Sequence, residues 1–217
     1  MRYMFGAILL AMTADAQPTV APSIAGVPGP LEWHNTPRAW KIEEGRLKIE
    51  AGRSTDWYIS PQDGKDTHSA PILLFKPDQD FVLTAKVDVE FRTKWDAGMF
   101  MVFVDDKTWA KLAFEMAVYN EPTIVSVVTR GVSDDCNSSS FTEHWIWLRI
   151  AKAADAIGFY VSRDGRSWRM VRAFTFGSVK ELRVGFGAQS PAGEGASAVF
   201  SEIRYELRKI QDLAVGQ

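Results

Sequence analysis

Residues 95–134 constrain the fold more than any other part of the chain, because apolar and polar side chains alternate along them. Leu112 and Phe114 alternate with Lys111 and Glu115. Successive side chains of a β-strand face opposite sides of the sheet, so one face is predicted to lie in a core while the other carries charge. The whole stretch predicts three antiparallel strands in the middle of a β-sheet.

The register of the central hairpin decides which side chains share the charged face. If Val118 pairs with Thr123 across the intervening turn, Lys111 lies directly opposite Arg130. Like charges in that position are destabilising, so this register predicts a neighbouring anion. The anion is a carboxylate such as Asp96 or a group on a ligand; alternatively, both cations extend separately into water.

Further apolar or alternating stretches recur at the 8–12-residue spacing that is typical of a sandwich or barrel. They are 46–51, 57–59, 71–75, 81–91, 98–104, 145–150, 157–161, 168–174, 182–188 and 199–205. These stretches predict an all-β fold in which two antiparallel sheets pack face to face. Gly185 and Gly187 indicate that another backbone or a ligand approaches one strand closely.

Composition narrows the classes of partner and the chemistry. The chain of 217 residues has 25 basic and 27 acidic side chains, so nucleic acid is not expected as a partner. The single cysteine, Cys136, excludes an internal disulfide and is predicted to lie in a polar surface loop. The three histidines are scattered without metal-ligand spacing, so we expect no metal site. We also expect that the protein has no cofactor and is a monomer.

The N-terminal sequence suggests a leader and a linker ahead of the folded domain. Residues 1–16 combine an arginine, a short apolar run and an Ala-Asp-Ala site, which is the three-part pattern of a signal peptide. Residues 17–30 are rich in proline and predict a linker. The predicted domain then covers 31–206 and a tail covers 207–217. This organisation predicts a secreted or periplasmic protein that does not associate with a membrane after the leader is removed.

Five sequence motifs, in this order and spacing, carry a resemblance to a known family. They are Trp40 with Leu47, the stretch DAGMFMVFVDDKTWAKLAFE at 96–115, VSVVTRGVSD at 125–134, WLRI at 147–150 and SRDGRSW at 162–168. From Leu31 to Tyr205 the chain resembles the "regulation of enolase"-type family of concanavalin A-like domains. That resemblance implies a lectin/glucanase-like jelly roll and little about activity. The polar positions that match the family pattern are Asp96, Trp109, Lys111, Glu115, Thr129, Arg130, Ser133 and Asp134.

The leading functional hypothesis is a carbohydrate-binding-like module that holds a polysaccharide or oligosaccharide on one sheet face. Two tryptophans would stack on sugar rings, and the polar side chains would bind hydroxyl or carboxylate groups. The candidate ligand-binding residues are Trp57, Asp96, Trp109, Lys111, Glu115, Ser126, Arg130 and Gln189.

Two alternatives stay open from the sequence. One is a glycoside hydrolase or lyase that uses Glu115 as its catalytic residue. Such enzymes need a second carboxylate, and the strand that carries Glu115 supplies none on that face. The other is a regulatory domain that binds another protein.

Overall fold

The computed structural model describes residues 21–216, and among these it contains β-strands and loops but no helix. No described segment is therefore a helix long and apolar enough to cross a membrane. The strands are β1 (Glu32–His34), β2 (Ala39–Glu43), β3 (Arg46–Ala51), β4 (Trp57–Ile59), β5 (Asp66–His68), β6 (Ile72–Phe75), β7 (Phe81–Glu90), β8 (Ala97–Asp105), β9 (Thr108–Met116), β10 (Pro122–Arg130), β11 (Ser133–Ser140), β12 (Trp145–Ala153), β13 (Ala156–Ser162), β14 (Arg169–Thr175), β15 (Arg183–Gln189) and β16 (Ala196–Glu206).

The strands form two seven-stranded antiparallel sheets, which confirms the predicted jelly-roll sandwich. The front sheet has the order β1-β6-β15-β8-β9-β10-β11, and the back sheet has the order β14-β13-β12-β7-β16-β3-β2. The separate hairpin of β4 and β5 packs on the front sheet, since Trp57 and Ile59 join a buried cluster with side chains of β8, β9 and β10.

The main core lies between the two sheets and takes one face of each strand. Leu112 and Phe114 of β9 are buried there, as the alternation predicted. They meet alternate side chains of β7, such as Leu83, Ala85 and Val87. A second, smaller apolar cluster lies on the opposite face of the front sheet, beneath the β4–β5 hairpin. The front sheet is thus covered on both faces, and this explains why β8 is apolar throughout.

The predicted register of the central hairpin is wrong by three residues. Met116 pairs with Pro122, so Lys111 lies opposite Val127 and Arg130 lies opposite Thr108. No pair of cations therefore lies opposite one another at Lys111. An offset by an odd number also exchanges the two faces of β10 relative to β9, because side chains alternate with a period of two.

Two other local predictions have different outcomes. The polar stretch around Cys136 is not a loop but the edge strand β11, although the thiol itself is exposed. The close approach inferred at Gly185 is confirmed as backbone packing, because a Cβ there would lie 1.8 Å from the Leu73 carbonyl oxygen. A polar edge strand of this kind resists pairing with other chains, which explains why its composition differs from that of the inner strands.

Both ends of the described chain pack against the sandwich. Ile24 and Leu31, which precede β1, are buried in the main core. After β16, Ile210 is buried beside Tyr160 on the outer side of the back sheet. Residues 1–16, where a signal peptide was predicted, lie outside the described residues.

Candidate ligand groove

A groove of about 610 Å³ opens on the face of the front sheet that is turned away from the main core. We call this cavity the ligand groove. Its floor is formed by Lys111 and Glu115 of β9 and by Gln189 at the end of β15. Its walls come from three separate parts of the chain: β4 with the residue before it, the loop before β8, and the edge strand β11. They contribute Asp56, Tyr58, Trp95 and Asp135.

Lys111 is the buried cation at the centre of the floor. Its side chain is only 3% exposed, and its ammonium group donates to Gln189 Oε1 at 2.9 Å and to Asp56 Oδ1 at 3.3 Å. A buried charge is costly unless it is paired and hydrogen-bonded, and these two acceptors meet that requirement. The ammonium group therefore has partners within the chain.

Glu115 is the buried carboxyl group of the floor. Gln189 Nε2 donates to its Oε2 at 3.2 Å, and no described side chain forms an ion pair with it. Burial raises the pKa of Glu115 to about 8, against the opposing effect of Lys111; Asp56 and Asp135 raise it further. At neutral pH the group is mostly a neutral carboxylic acid, which can donate a hydrogen bond to a ligand.

The walls add an acid and a phenol. Asp135 lies exposed on the edge strand, and the partial loss of water around its carboxyl group raises its pKa. Burial also raises the pKa of the Tyr58 hydroxyl, and the charges of Asp135 and Asp56 raise it further. The Glu115 carboxyl group and the Tyr58 hydroxyl group can therefore both donate and accept hydrogen bonds at neutral pH.

Trp95 supplies an aromatic surface to the groove and has a strained backbone. It is 42% exposed, and its φ angle is +67°, which is rare for a bulky residue. Three hydrogen bonds fix the loop: Trp95 N–H donates to Met116 O at 2.7 Å, Gln189 Nε2 donates to Trp95 O at 3.1 Å, and Met116 N–H donates to Asp96 O at 3.0 Å. Strained residues that the surrounding structure holds in place cluster at binding sites.

Asp96 has a structural role beside the groove. Its two carboxylate oxygens accept from the backbone N–H groups of Arg92 and Thr93 and from the hydroxyl groups of Thr93 and Ser190, at 2.7–3.0 Å. The side chain is fully buried and does not line the groove. Asp96 therefore shapes the loop that presents Trp95, and its own carboxylate has no free position for a ligand.

Of the eight predicted ligand-binding residues, the structure brings three together in the groove: Lys111, Glu115 and Gln189. Trp57 and Trp109 do not line it. They are 0% exposed and pack edge to face with ring centroids 5.6 Å apart, so neither ring has a face available for stacking on a sugar.

Ser126 and Arg130 lie elsewhere because of the corrected register. Ser126 pairs with Leu112, and its hydroxyl group is buried on the core side without a hydrogen-bond partner among the described residues. The guanidinium group of Arg130 lies 5.4 Å from the Phe176 ring and donates to the Thr175 carbonyl oxygen. The network predicted around a Lys111–Arg130 pair is therefore wrong.

Sequence reasoning missed four groove residues: Asp56, Tyr58, Trp95 and Asp135. Tyr58 and Asp135 lie within polar or aromatic stretches without a motif that would distinguish them. One signal could have identified Trp95. It lies between a lysine and an aspartate in the loop before an apolar strand, and such loops are usually exposed to solvent.

The chemistry of the groove is that of hydrogen bonding and aromatic stacking. No group of three or more histidine, cysteine, aspartate or glutamate side chains among residues 21–216 has the arrangement of a metal site. The mixture of donors and acceptors, next to one exposed indole ring, suits a small polar ligand with an apolar face.

Comparison with known proteins identifies relatives over most of the chain. A family model described as "Protein of unknown function (DUF1349)" matches residues 33–207. "Regulation of enolase protein 1" from Saccharomyces cerevisiae is 27% identical over 176 residues, which cover 78% of this chain and 86% of the yeast protein.

Solved structures share the sandwich fold. A functionally unknown protein from Saccharomyces cerevisiae superposes with a TM-score of 0.76 at 25% identity, and the match covers 81% of this chain and 95% of that one. The GH43 BlXynB protein from Bacillus licheniformis has a TM-score of 0.63 at 16% identity, covering 80% of this chain and 36% of the enzyme. A legume lectin-like domain from Entamoeba histolytica has a TM-score of 0.53 at 11% identity, and the match covers 83% of this chain and 90% of that domain. The chain thus shares its jelly-roll sandwich fold with a lectin-like domain and with part of a GH43 protein.

The yeast relative also corrects the predicted localisation. A secreted or periplasmic protein was expected from the leader-like pattern of residues 1–16. That expectation is wrong, because the chain is similar over 176 residues to a yeast protein named "Regulation of enolase protein 1". A single arginine followed by a short apolar run was too weak a pattern to establish export.

Proposed function

We propose that this chain, which belongs to the family described as "Protein of unknown function (DUF1349)", binds a carbohydrate in the ligand groove. The sugar would lie against the exposed face of Trp95. Its hydroxyl groups would bond to the polar side chains of the floor and walls.

The observation that carries this proposal is the exposed Trp95 ring beside the polar trio of Lys111, Gln189 and Glu115. A sugar ring has an apolar face of C–H groups and a rim of hydroxyl groups. An indole face complements the first, and fixed donors and acceptors complement the second. The three polar side chains are held by hydrogen bonds to one another, so little side-chain entropy is lost when a ligand binds.

The fold neighbours support the same proposal by analogy. The match to a legume lectin-like domain and to part of a GH43 protein places this sandwich among folds that occur in carbohydrate-active proteins. Fold alone does not determine function, so the argument depends on the groove residues themselves.

The proposal is tested by screening the full chain on a glycan array and measuring the affinity of the hits by calorimetry. We expect Trp95→Ala to weaken binding about tenfold or more, because truncating a contacting aromatic ring typically costs more than ~1 kcal/mol. Trp145→Ala is the matched control, since this tryptophan packs against Lys86 on the outer face of the back sheet. The affinity of Trp145→Ala for the glycan should equal that of the unmodified chain.

Two results would contradict the proposal: no glycan binds, or Trp95→Ala binds as tightly as the control. The same samples should be examined for cleavage by mass spectrometry. Products that form with the unmodified chain and not with Glu115→Gln would instead establish the hydrolase alternative, with the neutral carboxyl group of Glu115 as its acid.

A second candidate function rests on the yeast relative. The match to "Regulation of enolase protein 1" covers 86% of that protein, so a regulatory role for this chain is also proposed. It is tested by measuring whether the chain binds purified enolase and changes its activity. If the chain does not bind enolase and does not change its rate, the regulatory function is contradicted.

A further inference from the structure

We infer that the ligand groove selects a sugar with a free, protonated amino group over neutral and acidic sugars of the same length. This inference rests on the proposed function and narrows its ligand to amino sugars. It is carried by the placement of the carboxyl groups around the cavity and by the exposed indole ring.

Carboxyl groups surround the groove on three sides. Asp56 lies on the wall next to β4, Glu115 lies on the floor, and Asp135 lies on the edge strand opposite. These groups reach the cavity from three different strands or loops, so a ligand in the groove can contact more than one carboxyl group. A uronic acid would bring a further carboxylate close to Asp56 and Asp135, and like charges repel.

The two cations of the groove offset this arrangement only in part. Lys111 lies beneath the surface, and its ammonium group is taken up by Asp56 and Gln189. Lys65 is exposed at the outer end of the β4–β5 hairpin, two residues from Asp63 and next to Asp66. The charge of Lys111 acts on both Glu115 and Asp135, but its ammonium group forms an ion pair with neither of them.

Two of the carboxyl groups can each accept a further hydrogen bond or ion pair. Within residues 21–216, neither Glu115 nor Asp135 has an ion-pair partner within 4.0 Å. Glu115 is 7% exposed and accepts one hydrogen bond, at Oε2 from Gln189, so its Oε1 is left for a donor within the groove. Burial raises the pKa of both groups, and a bound cation would compensate for the water that each has lost.

Trp95 favours the same class of ligand. An ammonium group within about 6 Å of an indole ring is attracted to the face of the ring, and tryptophan is the strongest of the aromatic residues in this respect. The ring is partly exposed and lines the same groove as the three carboxyl groups. An aromatic face combined with carboxylates is a general solution for binding organic ammonium ions.

The test compares three trimers by calorimetry at pH 6.5: glucosamine, N-acetylglucosamine and galacturonic acid. We expect the glucosamine trimer to bind about tenfold more tightly than the acetylated one at low salt, with the difference shrinking at high salt. Asp135→Asn should reduce this preference to about twofold or less. Asp134→Asn is the matched control, because Asp134 pairs with Arg172 at 3.1 Å and does not line the groove.

The outcomes separate this inference from the proposed function. Equal affinity for the glucosamine and acetylated trimers, or tighter binding of the galacturonic acid trimer, overturns the inference and leaves carbohydrate binding intact. Binding of none of these trimers or of any arrayed glycan overturns both. A preference that survives Asp135→Asn and Glu115→Gln also overturns the inference, because it must then arise elsewhere on the chain.

Discussion

Two buried carboxyl groups on neighbouring strands of the front sheet have opposite environments. Asp96 accepts four hydrogen bonds, from Arg92, Thr93 and Ser190. Glu115 accepts one, from Gln189, and borders a cavity. The two residues are close in the fold, since Met116 N–H donates to Asp96 O at 3.0 Å.

The difference separates a structural carboxylate from a binding one. The donors around Asp96 are backbone and hydroxyl groups of its own loop together with the Ser190 hydroxyl group, so they replace the water that its carboxylate loses on folding. Glu115 loses its water without equal replacement, and this loss raises its pKa to about 8. Burial alone therefore does not mark a functional acid; the number of donors that face it does.

The largest effect is expected at the structural carboxylate. Asp96→Ala should lower the free energy of unfolding by about 3–5 kcal/mol, because it leaves buried N–H and hydroxyl donors without an acceptor. Denaturant unfolding monitored by tryptophan fluorescence measures this change. Asp88→Ala is the control: that carboxylate is exposed and pairs with His144 at 3.1 Å, so the expected loss is under about 1 kcal/mol. Equal losses of unfolding free energy in the two variants would show that Asp96 stabilises the fold no more than an exposed carboxylate does.

The second prediction concerns the pH dependence of stability. The pKa of Glu115 is raised on folding from 4.5 to about 8, so the folded state binds a proton that the unfolded state releases above pH 4.5. The stabilisation from this proton is complete below pH 4.5 and is lost as the pH rises towards 8. Between pH 5 and pH 7 the free energy of unfolding should fall by about 2–3 kcal/mol from this group alone.

Glu115→Gln isolates that contribution. The amide keeps an oxygen that can accept from Gln189 but does not ionise, so its free energy of unfolding should stay nearly constant over the same pH range. The two proteins should be similarly stable at pH 5, and the variant should be more stable at pH 7. Parallel pH profiles would show that Glu115 is ionised in the folded chain and would contradict the contrast with Asp96.

The fold was predictable from the sequence because strand alternation is a local property. Leu112 and Phe114 alternate with Lys111 and Glu115, and a period of two assigns each side chain to a face before any partner strand is known. The alternate side chains of β7 that lie in the main core follow the same period of two.

The register and most of the groove were not predictable because they depend on non-local geometry. The turn after β9 is longer than expected, since Ala117 N–H donates to Glu121 O and Pro122 already pairs with Met116. That difference moved Ser126 and Arg130 off the binding face. Asp56 reaches Lys111 from 55 residues away, a contact that no spacing rule anticipates.

The third prediction concerns the cation that joins the two walls. Lys111→Met should lower the free energy of unfolding by about 1–2 kcal/mol, since Asp56 loses its partner but keeps some contact with water. The same change removes the charge that opposes the high pKa of Glu115, so the loss of stability with pH should move to higher pH. Lys107→Met is the control, because its pair with Asp66 is exposed and should contribute under about 1 kcal/mol. An unchanged pH profile in Lys111→Met would show that the ammonium group does not act on Glu115.

The smallest effect is expected where the loop at Asp96 meets the ligand groove. Trp95→Gly should raise the free energy of unfolding by about 0.5–1 kcal/mol, because glycine adopts a φ of +67° without strain, and it should weaken glycan binding. Ala154→Gly is the matched control: its φ is +51° in an exposed turn of the back sheet, so it should gain similar stability and bind normally. Thermal unfolding and calorimetry measure the two effects side by side. If Trp95→Gly loses stability while Ala154→Gly gains it, the indole ring contributes more to folding than its strain costs, and Trp95 belongs with Asp96 as a structural residue rather than with Glu115 as a binding one.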